Sequence, residues 1–86
     1  MNIYEQALAH YGGEMQTMVC IEEMSELQKE LCKHARGAKN VDAIAEEIAD
    51  VQIMLTQMMI LHNCELKVSE EKRRKLIRLA ARIKQE

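Results

Sequence analysis

Proline is absent from these 86 residues, and so are tryptophan and phenylalanine. Without proline the strongest helix breaker is missing, and only three glycines, at 12, 13 and 37, interrupt the helix formers. An all-α fold follows. Two tyrosines are the only aromatics, whereas seven methionines sit among 48% hydrophobic residues, so the core is expected to be aliphatic and adaptable. No stretch approaches the ~18 uninterrupted apolar residues of a membrane span. The opening residues, MNIYEQALAHYGG, have neither a basic start nor an apolar signal core. Three cysteines, Cys20, Cys32 and Cys64, are an odd number without a signal segment. That pattern suggests reduced thiols and a cytoplasmic protein. The length predicts one domain, 1–86, whose core is small enough that partner subunits are a common supplement.

Basic charge is scarce in residues 1–66, which hold 4 basic and 11 acidic groups, giving −7. Residues 67–86 hold 8 basic and 3 acidic groups, giving +5, and the net charge is −2. An acidic body with a basic tail suits a metal at one place and phosphate beside it. On charge alone, a solvated basic helix that offsets its own acidic body weighs equally.

Apolar spacing predicts four helices. The first covers 2–11 and breaks at Gly12-Gly13. The second runs from about Glu14 to Ala35, with Cys20, Met24, Leu27 and Leu31 as its core stripe. Gly37 ends it. Asn40 is a good side-chain N-cap for the third, about Val41 to His62, with Ile44, Ile48, Val51 and Leu55 as its stripe. A short loop favours an antiparallel hairpin of these two helices. The fourth, about Val68 to Lys84, carries Leu76, Leu79, Ala80 and Ile83 on one side and Lys72, Lys75, Arg78 and Arg82 on another. The expected architecture is an antiparallel bundle of about four helices, completed by oligomerisation.

Ile21–Gln28 and Ala45–Gln52 repeat one pattern at an offset of 24 residues. Each carries acids three apart, Glu23/Glu26 and Glu47/Asp50, on one helix face beside the core stripe. Packed antiparallel, the two helices aim four carboxylates at one point. Like charges so close repel, which calls for a cation among them. Hard oxygen ligands suit Mg²⁺ or Mn²⁺. A metal-bridged phosphate and an activated water then make phosphoryl chemistry accessible. A lone E-x-x-E is common on exposed helices. Two copies in register on adjacent helices are a more specific signal.

The arrangement Glu22-Glu23-Met24-Ser25-Glu26 with Glu47-Ile48-Ala49-Asp50 resembles the EExxE…ExxD signature of the all-α nucleoside triphosphate pyrophosphohydrolases. These comprise the MazG-like proteins, dimeric dUTPases, dCTP pyrophosphatases and phosphoribosyl-ATP pyrophosphatases. The 20 residues between Glu26 and Glu47 fit that family's gap, and the resemblance covers roughly 14–82. It implies a single MazG-like domain that hydrolyses a nucleoside triphosphate to the monophosphate and pyrophosphate. It also implies Mg²⁺ bound by Glu23, Glu26, Glu47 and Asp50 as the catalytic set. Lys75-Leu76-Ile77-Arg78-Leu79 is similar to the basic last helix of small MazG-like proteins, which makes Lys75 and Arg78 the candidate phosphate contacts. Gln52, Ile53 and Met54 stand where the phosphoribosyl-ATP enzymes carry a histidine, which argues against that branch.

Other residues read more plainly. Cys32/His34 and His62/Cys64 are each two apart, so one zinc ion does not readily take both members of a pair. Cys20 is a small core residue. Met15, Met18, Met54, Met58 and Met59 belong to core or subunit interface. Net negative charge and missing aromatics exclude nucleic acid as the expected partner. The expected function is Mg²⁺-dependent hydrolysis of a nucleoside triphosphate by a homodimer or homotetramer that binds neither nucleic acid nor membrane. The alternative from another class is a catalytically silent MazG-like interaction or regulatory module.

Overall fold

The computed structural model describes residues 1–86 as four helices without a strand. They are α1 (Ile3–Tyr11), α2 (Gly13–Ala35), α3 (Val41–Leu61) and α4 (Glu65–Gln85). No helix is long and apolar enough to cross a membrane.

Local chemistry sets each boundary. Asn2 and Glu5 form a reciprocal capping box at α1, with both side-chain-to-backbone bonds at 2.9 Å. Gly12 adopts φ +89°, which an L side chain rarely takes, and turns the chain into α2. Gly13 allows close packing: a Cβ there would lie 2.8 Å from Leu61 Cδ1 at the far end of α3. Gly37, at φ +103°, closes the α2–α3 turn, and its N–H donates to the His34 carbonyl at 2.9 Å. Asn63 takes the left-handed conformation at φ +50°, so two turn residues suffice after His62. α4 therefore starts at Glu65, three residues before the expected Val68.

Asn40 departs from its expected role. It precedes α3, but its side chain makes no cap bond. Its amide reaches back across the hairpin and donates to the Glu30 carbonyl at 2.9 Å and to Glu30 Oε1 at 3.0 Å. The same asparagine thus ties the turn end of α3 to that of α2.

α2 and α3 pack antiparallel and supply every buried residue: Gln16, Cys20, Val51, Met54 and Gln57. Gln16, Cys20, Glu23, Leu27 and Glu30 face Ile44, Glu47, Val51, Met54 and Met58, all buried or half-buried. Steps of four and three mark a heptad seam. Half of the expected stripes lies in this seam, namely Cys20, Leu27, Ile44 and Val51, and the other half falls one residue to the side of it. Met24, Leu31, Ile48 and Leu55 are 43%, 49%, 41% and 44% exposed. Two helices share only a narrow contact, and these four residues stand beside it; Leu55 lines an open cavity with Tyr4 of α1 and Lys72 of α4.

Gln16 and Gln57 form the one side-chain hydrogen bond of the buried core between helices, Nε2 to Oε1 at 2.7 Å. Removing one partner leaves a buried amide without its mate, whereas removing both does not. Gln57→Leu should therefore destabilise the fold by about 1–3 kcal/mol, or about 4–8 °C in Tm per kcal/mol for a domain of this size. Gln16→Leu/Gln57→Leu should recover most of that loss. Thermal and urea unfolding check this; strictly additive losses would contradict the pairing.

Candidate metal centre

Glu23 comes from the middle of α2, and Glu47 and Asp50 come from successive turns of α3. Two polar pins set the register that makes them level. Gln16–Gln57 holds the open end of the hairpin, and Glu30–Asn40 holds the turn end. Between the pins, Glu23 and Glu47 occupy seam positions where a coiled pair ordinarily places apolar side chains. One carboxylate oxygen from each of Glu23, Glu47 and Asp50 lies within 4.8 Å of the others. Glu23 and Glu47 are half-buried and Asp50 is exposed, so the cluster opens to solvent on one side.

The electrostatics are unfavourable as they stand. The chain's two ion pairs are Lys33–Glu30, at 3.3 Å, and Arg74–Glu71. Neither reaches the cluster, so no lysine or arginine pairs with the three acids. Glu47 Oε2 is shut off from solvent and has no hydrogen-bond partner. Burial pushes the Glu23 carboxyl above its ordinary range, and the charges of Asp50 and Glu47 push it further. Burial likewise raises Glu47, followed by the charges of Asp50 and Glu26. A proton shared between the carboxyls answers part of the repulsion, and a cation would answer more.

Three of the four predicted acids thus come together. Glu26 stands apart, exposed on α2 and outside the cluster, although Glu47 feels its charge. The two predicted basic residues, Lys75 and Arg78, are exposed on α4. The α4 backbone approaches α3 alone, and no contact ties either residue to the acids. Sequence reasoning missed the two pins. Their signal was the seven-residue spacing of Gln16, Glu23 and Glu30, a polar line inside the seam. Cys20 is buried as expected, while Cys32 is exposed and Cys64 half-buried, and all three thiols are free. The acidic trio is the one grouping of three metal-ligating side chains, and neither Cys/His pair takes part in one.

Compared with known proteins, the chain matches no family, no curated protein and no solved structure.

The donor set is all oxygen. An octahedral Mg²⁺ with ~2.1 Å bonds holds ligand oxygens about 3–4 Å apart and keeps several waters. A separation of at most 4.8 Å is a small inward movement from that geometry, and the solvent side leaves room for waters. The residues therefore fit a small hard cation.

The raised carboxyls carry a pH signature. A carboxyl raised in the fold contributes stability below its unfolded value, near ~4.3 for Glu. That contribution is lost as pH rises through the folded value. With chelator present, the protein should melt higher at about pH 5 than at about pH 8. Glu23→Gln should flatten the slope and raise Tm at the higher pH. A slope unchanged by Glu23→Gln would show that the cluster is not its source.

Proposed function

We propose that this chain is a Mg²⁺-dependent nucleoside triphosphate pyrophosphohydrolase. One observation carries the reading: acids from both helices of the hairpin converge in its packed seam with no basic partner, and one carboxylate oxygen is buried and unbonded. Packing alone favours apolar residues at those positions, so the acids call for another use. The resemblance of the doubled acid motif to the MazG-like signature points to the same chemistry.

Glu23, Glu47 and Asp50 hold the ion in this reading, with Mn²⁺ an acceptable substitute. Bound there, the ion would neutralise the acids and supply positive charge to the substrate's phosphates. Glu26, beside the trio but outside it, is the acid left to orient water and take its proton. The water oxygen bonds to the α-phosphorus as the bond to the departing pyrophosphate breaks. Lys75 and Arg78 are the proposed contacts for the leaving phosphates. A homodimer or homotetramer is the proposed assembly.

The broad exposure of large apolar side chains on all four helices favours a second reading. It is a silent helical module whose work is association. The two readings part on turnover. Pyrophosphate release should be measured over a panel of ribo- and deoxyribonucleoside triphosphates with millimolar Mg²⁺. The enzyme reading expects release from at least one nucleotide. It also expects a loss of roughly 10²-fold or more in Glu47→Ala and Asp50→Ala, with far-ultraviolet circular dichroism unchanged. Absence of release from every nucleotide selects the silent module. Full activity in both variants removes the site assignment.

A further inference from the structure

α4 is 21 residues long, a quarter of the chain, and buries none of them. An isolated helix is marginal in water, and most helical stability in proteins comes from packing an amphipathic face. α4 has such a face. Val68, Leu76 and Leu79 line an open groove along it, together with the cations Lys67, Lys72, Lys75 and Arg82 and one acid, Glu71. Inside its own chain the α4 backbone approaches α3 alone, and Lys72 shares a cavity with Tyr4 of α1 and Leu55 of α3.

The total surface indicates how much is uncovered. The chain exposes 6993 Å². A folded monomer of 9.9 kDa exposes about 5,200 Å². The surplus is about 1,800 Å². An obligate subunit interface buries about 1,000–2,500 Å² from each partner. The excess surface is thus of the size that one stable homodimer removes.

Charge then selects which surface meets α4. Residues 67–86 carry +5 and residues 1–66 carry −7. Two α4 helices laid together would bring like charge face to face, whereas α4 on the acidic body joins opposite charge. That body offers an apolar row: Met24 and Leu31 on α2, and Ile48 and Leu55 on α3, each pair seven residues apart and all more than 40% exposed. We propose that a second copy of this chain covers α4, the α4 groove of each copy seating on the Met24/Leu31/Ile48/Leu55 row of the other. The contact is made twice about one twofold axis. It stands on area, apolarity and net charge, and does not depend on the metal reading.

Sedimentation velocity on the full chain tests this, from about 1 to 100 µM because dimer mass depends on protomer concentration. Wild type should sediment as a dimer. Leu76→Glu/Leu79→Glu, in the groove, should give monomer with reduced helicity from a released α4. Leu31→Glu/Leu55→Glu, in the opposing row, should give monomer too. Ile77→Glu, exposed on α4 outside the groove, should leave the dimer intact. Lys67→Glu/Lys72→Glu should raise the dimer Kd at least tenfold at low salt. A monomeric wild type at the highest concentration would overturn the proposal. So would a dimer that survives both apolar variants, or one that responds to the groove variant and ignores the row variant.

Discussion

The fold depends on a conflict placed inside its one real packing contact. α2 and α3 hold each other through a narrow seam, and the seam carries glutamates where hydrophobic residues would pack better. Glu23 and Glu47 meet because hydrogen bonds at both ends fix the register. A shift of the hairpin by one turn would separate them and strand Gln16 and Gln57 in the core. The same pins that make the fold specific therefore also force the acids together. Burial and mutual charge raise Glu23 and Glu47, so the free site opposes folding near neutral pH. A chain that keeps such an arrangement exchanges stability for a use of the site, and cation binding is the use its chemistry fits.

Size makes that exchange sharper. Five buried residues are a thin core for 86, and three of those five are Cys20, Val51 and Met54, none of them large aromatics. α1 rests on the hairpin and α4 barely touches it. Apolar rows on α2, α3 and α4 are left in solvent. In the proposed dimer, the acidic body and the basic last helix complement each other. Opposite charges on two such surfaces favour contact between copies in one arrangement and disfavour the symmetric pairing of two basic helices.

The helices were legible in the sequence because their punctuation is strong. Gly12-Gly13 and Gly37 end segments, no proline intrudes, and apolar residues recur at helical spacing. The end of α3 near His62 was legible too; the start of α4 was harder to place, since an asparagine rather than a glycine takes the left-handed conformation and turns the chain within two residues. The core stripe was drawn by hydrophobicity and so favoured Met24 and Leu31. The packed face keeps Cys20 and Leu27 of that stripe but runs on through Gln16, Glu23 and Glu30, residues that hydrophobic patterning assigns to solvent. Asn40 looked like a cap because asparagine caps helices, yet a carboxylate across the hairpin competes successfully for its amide. The acid motif was visible as a repeat. That only three of the four acids converge was not, because the difference between Glu26 and Asp50 lies in where each side chain extends from helices of opposite direction.

Binding of Mn²⁺, followed by electron paramagnetic resonance at pH 7.5, tests the central claim most directly, because it reads the ion and needs no substrate. The spectrum of free Mn²⁺ should diminish to a saturable limit as protein is added, and excess Mg²⁺ should restore it. Glu47→Ala should leave the free signal intact. An undiminished free signal with the wild-type protein at millimolar Mn²⁺, or equal binding by Glu47→Ala, would contradict the account.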